Sequence, residues 1–544
     1  MPIDTFRFKH RFHILQQILL MLDTGRSYFY TRFLLFGLYF INGIIVINNN
    51  SVVSDESEHL YYGLRVLNGR PDKIYNDDAS TQPVSALNAI PRAVEQLWKP
   101  GLKKTDGGIS DAIHGRYVTL LICAFIGLYV YKWSREMFGE KSGLFSLFLF
   151  TFCPNLQANI PLVGTDAYAV LFTLTSAYYF RKFVLYSGWR NFVLFSIHTG
   201  IALTVKHSLF LLPLFYTVVA IFVVTSRKSW KTKFLINTRR LLVFLLTVVL
   251  VINLAFLCRG TGTSLNHYKF KSETFQAFQE WKFVNRIPLP LPKPFVEGYD
   301  GVKYMVSIGS GHGEVSGRSY LLGEYFTGNS KWYYYSVVIL FKTPLAVLLM
   351  LVAVLIAYLR NPLSKENFFT TGFPLSIAFF FVIFISLTNT SQHGLRHLLM
   401  IYPLFYICFG QILTWRTNPK KIALPAILVY SLITFYSYFP NLLSYTNELI
   451  WNKTYAYRVM ASTNIDHGQG GYALKKFLGN HPEFKSPPQV PRAGEYIVGI
   501  NEFLDLYQRQ THPWLNNFVP YDHVNHCYLL FRITDKDLVE KKLK

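Results

Sequence analysis

The chain has 544 residues, of which 51% are hydrophobic, 17% are aromatic and only 16% are charged. Soluble domains have about a quarter of their residues charged. The composition therefore argues against a soluble enzyme and a disordered chain, and it predicts a polytopic membrane protein. The net charge of +23 would fit a nucleic-acid partner, so the placement of the basic residues has to be explained.

Long apolar runs recur from the N-terminal region to residue 439. A bilayer core needs about 20 apolar residues per helix, and on this basis the sequence predicts about eleven transmembrane helices. The predicted spans lie near residues 31–49, 117–133, 143–161, 167–183, 190–205, 208–225, 240–257, 335–358, 369–388, 397–414 and 422–439.

The connections between these spans alternate in charge. One set, which includes the N-terminus and the connection at 226–239, is short and basic, whereas every long connection falls in the other set. Because Lys and Arg are enriched in cytoplasmic loops, the N-terminus is predicted to be cytoplasmic and the C-terminus extracytoplasmic. Most of the positive charge is therefore a topology signal that also favours contact with membrane lipids, and no nucleic-acid partner is expected.

This topology predicts two parts. Residues 1–440 form a transmembrane module with outer loops 50–116 and 258–334, and residues 441–544 form a small extracytoplasmic α/β domain. In the first outer loop, apolar residues recur every three or four positions, which predicts a helix lying in the membrane interface. These residues are Val84, Leu87, Ile90, Val94, Leu97 and Trp98.

Two acidic positions lie at predicted outer ends of spans. Asp55 and Glu56 follow the first span, with Glu58 and His59 close behind, and Asp166 lies in a tight link between two spans. Carboxylates at such a place can act as a general base or bind a metal. The alternatives are a solvated loop edge for the first cluster and a helix N-cap for Asp166.

Cations also lie at predicted outer ends, where the positive-inside rule disfavours them. A bound phosphate would explain them, and snorkelling towards lipid headgroups is the alternative. The positions are Arg116, Lys206 with His207, Lys342, and Arg396 with His397.

Two further patterns carry weaker signals. His393 and His397 could share a helix face and bind a metal, although the intervening Gly394 disfavours that helix. The glycine-rich stretch at 309–313, which contains His312, matches no phosphate-loop spacing and predicts a flexible outer loop over a site.

Taken in order along the chain, these pieces resemble the GT-C membrane glycosyltransferases, specifically the bacterial relatives of protein O-mannosyltransferases and aminoarabinose transferases. The pieces that carry the resemblance are Asp55-Glu56-Ser57-Glu58-His59, Gly115-Arg116-Tyr117, Pro154-Asn155, Thr165-Asp166, Tyr320-Leu321-Leu322-Gly323-Glu324-Tyr325, Lys342-Thr343-Pro344, Gly394-Leu395-Arg396-His397, and the segments 439–448 and 462–469. The last segment departs from the family pattern, which has aspartate at Ala461, tryptophan at His467 and aspartate at Gly470.

The resemblance implies an inverting glycosyltransferase that moves a hexose or pentose from a polyprenyl-phosphate donor to a hydroxyl or amine at the outer face of the cytoplasmic membrane. The acceptor is a protein, a lipid or a surface glycan. No nucleotide cofactor is expected, and the need for a divalent metal stays open, with Asp55 and Asp166 as the carboxylates that would hold it. The implied site residues are Asp55, Glu56 and Asp166 for catalysis, Arg116, Lys206, Arg396 and Lys342 for the donor phosphate, and Glu58, His59, His207, His312, Glu324 and His397 for substrate binding.

Two alternatives remain at the level of the sequence. A transporter or lipid flippase predicts ionisable residues near the bilayer midplane and repeated halves. The ionisable residues of this chain instead gather at the predicted outer face, and no repeat is evident. The second alternative is the transfer of a preassembled oligosaccharide.

Overall fold

The structure is a computed structural model. It describes residues 25–74, 80–99, 109–225, 238–283, 285–308, 318–327, 330–360, 367–390, 392, 394–416 and 420–543. The glycine-rich stretch with His312, and His393 of the predicted metal pair, lie outside the described residues.

Helices make up most of the described chain. In the transmembrane part they are α1 (Gly25–Asn49), α2 (Glu56–Leu67), α3 (Ser85–Trp98), α4 (Ile109–Phe138), α5 (Glu140–Thr151), α6 (Pro154–Asn159), α7 (Asp166–Tyr186), α8 (Trp189–Val205), α9 (Leu211–Thr225), α10 (Thr238–Ala255), α11 (Glu273–Gln279), α12 (Lys293–Ser307), α13 (Tyr334–Lys342), α14 (Leu345–Leu359), α15 (Phe373–Thr388), α16 (Ile401–Phe409) and α17 (Lys420–Tyr438). The C-terminal part adds α18 (Gly471–Asn480), α19 (Ile500–Phe503) and α20 (Asp535–Glu540).

Several of these helices have the length and composition of membrane spans. Among the described residues, four are long and apolar enough to cross a bilayer, and the bent pair α13–α14 makes up to five. The four are Gly25–Asn49, Ser110–Phe138, Thr238–Ala255 and Phe368–Thr388. The protein thus has the apolar helices of a membrane protein, and the count of eleven spans stays a prediction.

Two predicted spans differ from the structure because each contains an interior proline. The span 143–161 is divided between α5 and α6, and Pro154 is the first residue of the second helix. The span 335–358 is divided at Thr343–Pro344, where the helix axis bends by 116°. Proline has no N–H group for the helical hydrogen bond and disfavours helical geometry at the residue before it, so each helix ends there.

The predicted interfacial helix is present as α3. It packs against α2, while its last two side chains, Leu97 and Trp98, stay 81% and 83% exposed. An apolar stripe that the protein itself leaves uncovered is what an interfacial helix presents to lipid.

The C-terminal segment contains a four-stranded sheet in the order β3-β4-β6-β5. Two short strands, β1 (Ser319–Leu321) and β2 (Glu324–Phe326), form a separate hairpin earlier in the chain. The strands of the sheet are β3 (Phe484–Lys485), β4 (Gly494–Gly499), β5 (Asp522–Val524) and β6 (Tyr528–Ile533), with β3 parallel to β4 and the other pairs antiparallel.

The faces of this sheet follow the alternation of side chains along a strand. Ile497 and Leu530 pack with α18 on one face, whereas Val498 and Phe531 on the other face join the main hydrophobic core. That core also contains side chains of the transmembrane helices, so the C-terminal segment is packed directly onto the bundle.

Candidate functional site

Asp55 lies immediately before α2 and forms an ion pair with Arg396 through its Oδ2 atom. Its other oxygen, Oδ1, accepts a hydrogen bond of 3.1 Å from Ser54 Oγ. Arg396 lies on a short 3-10 turn at Leu395–Leu398. The structure therefore brings together two predicted site residues that are separated by most of the chain.

Close packing at Gly394 positions this turn. A Cβ atom at residue 394 would collide with the Thr463 hydroxyl, so only glycine allows the two segments to approach this closely. The turn is then held by a hydrogen bond of 2.9 Å from the Leu395 N–H to Asn464 Oδ1. Arg396 is thus fixed against the C-terminal segment as well as against Asp55.

A second ion pair joins Asp166 and Lys206. Asp166 begins α7 and Lys206 directly follows α8. Because α7 and α8 are adjacent helices joined by a short link, the first residue of one lies beside the last residue of the other. Helical geometry alone therefore accounts for this pair.

The two ion pairs belong to one cluster. Arg396 interacts electrostatically with both Asp55 and Asp166. Asp166 also interacts with His397, whose Nδ1 lies 3.2 Å from Asn389 Nδ2. One donor is left over in this arrangement, because Arg396 Nε is buried without a hydrogen-bond partner among the described residues. We call Asp55, Asp166, Lys206 and Arg396 the charged cluster.

Glu56 and Arg116 are not part of the charged cluster. They form a two-pronged ion pair, with Arg116 Nε 2.7 Å from Glu56 Oε1 and Nη2 2.6 Å from Oε2, and the two side chains are 0% and 1% exposed. Glu56 also accepts hydrogen bonds from the backbone N–H groups of Val53 and Val163.

The remaining donors of Arg116 go to backbone carbonyls at the end of α1. Nη1 donates to Asn50 O at 2.8 Å and Nη2 to Ser51 O at 2.8 Å. With its donors used in this way, Arg116 has none directed at a phosphate. The geometry therefore favours a structural role for both residues over the predicted roles in donor binding and catalysis.

Lys342 is also held inside the protein. It is 3% exposed, ends α13 at the 116° bend, and donates to Leu443 O at 2.7 Å and to Asn464 O at 2.6 Å. Lys342 therefore supports Asn464, which in turn holds the Arg396 turn. This is a structural link to the charged cluster, and the contact of Lys342 with phosphate stays a prediction.

The predicted substrate-binding residues are dispersed. His59 Nδ1 lies 3.1 Å from Ser85 Oγ, and the His207 ring lies 2.9 Å from Gln82 Nε2, so both histidines hold the first outer loop. The Glu58 side chain is exposed.

Glu324 lies on the β1–β2 hairpin, where its exposed side chain pairs with Lys331 at 3.3 Å. Among the described members of the predicted substrate-binding set, His397 interacts electrostatically with Asp166, and the His59 N–H donates to Asp55 O at 3.3 Å.

The sequence alone assigns no role to His467, one of the positions that depart from the family pattern. Its Nε2 atom lies 3.5 Å from Asp55 Oδ1, and its side chain is 6% exposed. Its neighbour Asp466 is also buried. Burial raises the pKa of the Asp466 carboxyl, although a hydrogen bond from the Gly468 N–H and the nearby His467 oppose that increase.

The charged cluster is a poor match to a divalent metal. Among the residues that the structure describes, no group of three or more His, Cys, Asp or Glu side chains is placed to hold an ion. Each carboxylate that would ligate a metal, Asp55 or Asp166, is already paired with a cation. A divalent ion bound at either carboxylate would have to displace its paired cation.

Residues 110–253 match the profile of the dolichyl-phosphate-mannose-protein mannosyltransferase family. This segment runs from α4 into α10, and it includes Asp166 and Lys206 of the charged cluster. The resemblance to the GT-C membrane glycosyltransferases is confirmed over this segment. The matching segment is the smaller part of the chain. The match therefore does not identify the donor or the acceptor of this protein.

Among solved structures, the fold is similar to that of ArnT from Cupriavidus metallidurans bound to undecaprenyl phosphate. The two chains are 10% identical over 91% of this chain and 97% of ArnT, with a TM-score of 0.46. The oligosaccharyltransferase of Archaeoglobus fulgidus in its apo form is 12% identical over 76% of this chain and 55% of that protein, with a TM-score of 0.44. At these identities and TM-scores, the similarity assigns no role to the site residues. No curated protein sequence matches the chain.

Proposed function

We propose that the protein is an inverting glycosyltransferase that moves a hexose or pentose from a polyprenyl-phosphate carrier to a hydroxyl or amine acceptor. The reaction takes place at the outer face of the cytoplasmic membrane. The observation that supports this most is the charged cluster, in which two carboxylates and two cations from four separate parts of the chain meet at one end of the helix bundle.

The cations of the cluster suit a phosphate leaving group. Negative charge grows on the phosphate as the sugar departs, and donors fixed in advance at that place lower the barrier. Arg396 keeps a buried Nε donor without a hydrogen-bond partner among the described residues, and Lys206 can turn from Asp166 towards an incoming phosphate. In our proposal these two side chains bind the donor phosphate.

Asp55 is the general base in this reaction. The acceptor oxygen or nitrogen forms a bond to the anomeric carbon, and the bond from that carbon to the phosphate oxygen breaks with its electron pair on the phosphate. The acceptor proton moves to Asp55 Oδ2, the oxygen that pairs with Arg396 until the phosphate binds. The phosphate draws Arg396 towards itself, which frees Asp55 to act as a base when the donor is bound.

Asp166 has a positioning role in the proposal. It pairs with Lys206 and interacts electrostatically with Arg396. The donor was activated when the sugar was joined to its lipid phosphate, so the reaction uses no nucleotide cofactor.

The experiment that tests the function compares surface glycans by mass spectrometry in cells with and without the protein. We expect one sugar residue to be missing from a glycan, lipid or protein when the chain is absent. Uptake of a labelled substrate into sealed vesicles without a covalent product would instead support a transporter. Loss of a whole oligosaccharide would support transfer of a preassembled chain.

We expect Asp55→Asn to abolish sugar transfer while leaving insertion and folding intact, because the amide cannot accept the acceptor proton. The measurement is the same glycan analysis at matched amounts of membrane protein. Glu540→Gln is the control, since Glu540 is an exposed carboxylate at the end of α20. Full glycan modification by the Asp55→Asn protein would remove Asp55 from the role of base.

A further inference from the structure

We propose that His467 is a positioning residue for Asp55, and that the C-terminal segment therefore completes the catalytic site. The inference rests on the proposed function, since it assigns a partner to the base of that reaction. His467 Nε2 lies 3.5 Å from Asp55 Oδ1, whereas Arg396 pairs with the other oxygen, Oδ2.

The His467 ring is buried and has one donor to spare. Its Nε2 atom is inaccessible and makes no hydrogen bond with any residue that the structure describes. A buried nitrogen of this kind destabilises the fold unless it gains a partner. The separation from Asp55 is slightly longer than the usual hydrogen-bond length of about 3 Å. A small rotation of the carboxylate when the donor draws Arg396 away closes this gap.

The backbone around His467 is built to hold the ring in place. The His467 N–H donates to Gln469 Oε1 at 2.7 Å. Gln469 is itself fixed, because its Nε2 donates to Ile465 O at 2.8 Å and to Ser444 Oγ at 3.1 Å. The following residue, Gly468, has φ +92, a conformation that side chains other than glycine rarely adopt.

The same segment is joined to the residues that precede Asp55. Ser51 Oγ donates to Gly468 O at 2.6 Å, the Ser51 N–H donates to Gln469 O at 3.0 Å, and the Gly471 N–H donates to Ser51 Oγ at 2.9 Å. Asp55 and His467 therefore belong to one hydrogen-bonded unit, although they lie far apart along the chain.

This placement gives His467 a defined function. Arg396 restrains one oxygen of Asp55, and a bound donor phosphate draws Arg396 away from it. His467 then supplies the restraint that remains, by donating from Nε2 to Oδ1, and it fixes the plane of the carboxylate against the acceptor. Fixed orientation of a base contributes directly to the rate of a transfer step.

The test uses the full chain in lipid nanodiscs, with a panel of undecaprenyl-phosphate hexoses and pentoses as donors and release of undecaprenyl phosphate as the signal. We expect His467→Leu to lower kcat by about tenfold or more while the KM for the donor changes by less than about twofold. His481→Leu is the control, because His481 is an exposed histidine of the same segment.

Two amide variants separate positioning from packing. Glutamine places its amide nitrogen where Nε2 of the ring stands, whereas asparagine places it near Nδ1. We therefore expect His467→Gln to restore kcat to within about threefold of the parent and His467→Asn to resemble His467→Leu. A purely structural role would rank the variants by thermal stability instead, with no advantage for glutamine over asparagine.

The outcomes distinguish the inference from the function on which it rests. If Asp55→Asn is inactive but His467→Leu keeps the parent kcat, the positioning role is wrong and the base assignment stands. If neither substitution changes turnover, or if no donor in the panel is used and glycan analysis finds no missing sugar, the proposed function fails and the inference fails with it.

Discussion

Arg116 and Arg396 are two arginines at the same end of the helix bundle with opposite surroundings. Arg116 is enclosed by Glu56 and by carbonyls at the end of α1, whereas Arg396 keeps a donor without a partner among the described residues. A guanidinium with fully satisfied donors stabilises a fold, and one with a spare donor at a charged cluster is suited to an anion. This difference is why our proposal places the phosphate beside Arg396.

We expect Arg116→Met to destabilise the protein strongly, because it leaves the Glu56 carboxylate buried without a cation. Breaking a buried pair of this type costs about 3–5 kcal/mol, whereas replacing both partners with apolar residues costs much less. Thermal unfolding of the protein in nanodiscs should therefore show a lower Tm for Arg116→Met than for Arg116→Met combined with Glu56→Leu.

The contrary result is equally clear. If Arg116→Met unfolds like the parent and the double variant gains nothing, the pair does not carry the stability that its burial implies. If the single variant in addition loses donor binding, Arg116 regains its predicted role at the phosphate. Arg532→Met is a control, since Arg532 is 65% exposed in its ion pair with Glu495.

At the scale of elements, a short turn places Arg396 in the cluster, whereas adjacent helices are enough to pair Asp166 with Lys206. Arg396 lies on the turn at Leu395–Leu398, which is held against the turn at Ser462–Asn464. Lys342 supports the second turn from the broken span. The bend at Pro344 therefore matters to the site, because it ends α13 where Lys342 can reach Asn464 O.

Gly394 is the position where this arrangement can be tested. We expect Gly394→Ala to lower turnover by about tenfold, because the added Cβ collides with the Thr463 hydroxyl and moves the Arg396 turn away from Asp55. Turnover is measured as the release of undecaprenyl phosphate from the donor panel in nanodiscs.

Removal of the colliding group should reverse the effect. Gly394→Ala combined with Thr463→Ala has room for the new Cβ, so we expect it to recover most of the lost turnover, and Thr463→Ala alone is the matched control. Equal loss in the single and the double variant would mean that the turn tolerates displacement and that close approach at Gly394 does not position Arg396.

At the scale of the whole molecule, the charge pattern predicts one orientation in the membrane, with loop 258–334 outside. The protein contains a natural probe for this orientation. Of its five cysteines, Cys258 is exposed and Cys123, Cys153, Cys408 and Cys527 are buried. A thiol reagent that cannot cross the membrane therefore has one accessible target in the folded chain.

We expect a membrane-impermeant maleimide, which reacts with thiols, to label the protein in intact spheroplasts. We expect Cys258→Ser to abolish the labelling. The measurement is the mass shift of the purified protein. Labelling that appears only after the membrane is permeabilised would place residue 258 in the cytoplasm and overturn the predicted topology.

The sequence by itself determined the class of the protein and the residues worth examining. Apolar runs report membrane spans because a bilayer core requires them, and cations at the wrong end of a span stand out because loop charge follows topology. The sequence identifies two acids, Asp55 and Asp166, and two cations, Lys206 and Arg396, by their places at predicted outer ends of spans. The structure brings the four together.

Only the tertiary structure decided which charges face each other. Arg116 and Arg396 carry the same signal in the sequence, since each is a cation at a predicted outer end, and their difference comes from partners far away along the chain. His467 carries no signal beyond a departure from the family pattern, because its position beside Asp55 depends on hydrogen bonds between residue 51 and residues 468–471. Sequence patterns report local geometry and burial, whereas pairing between distant residues is fixed by packing.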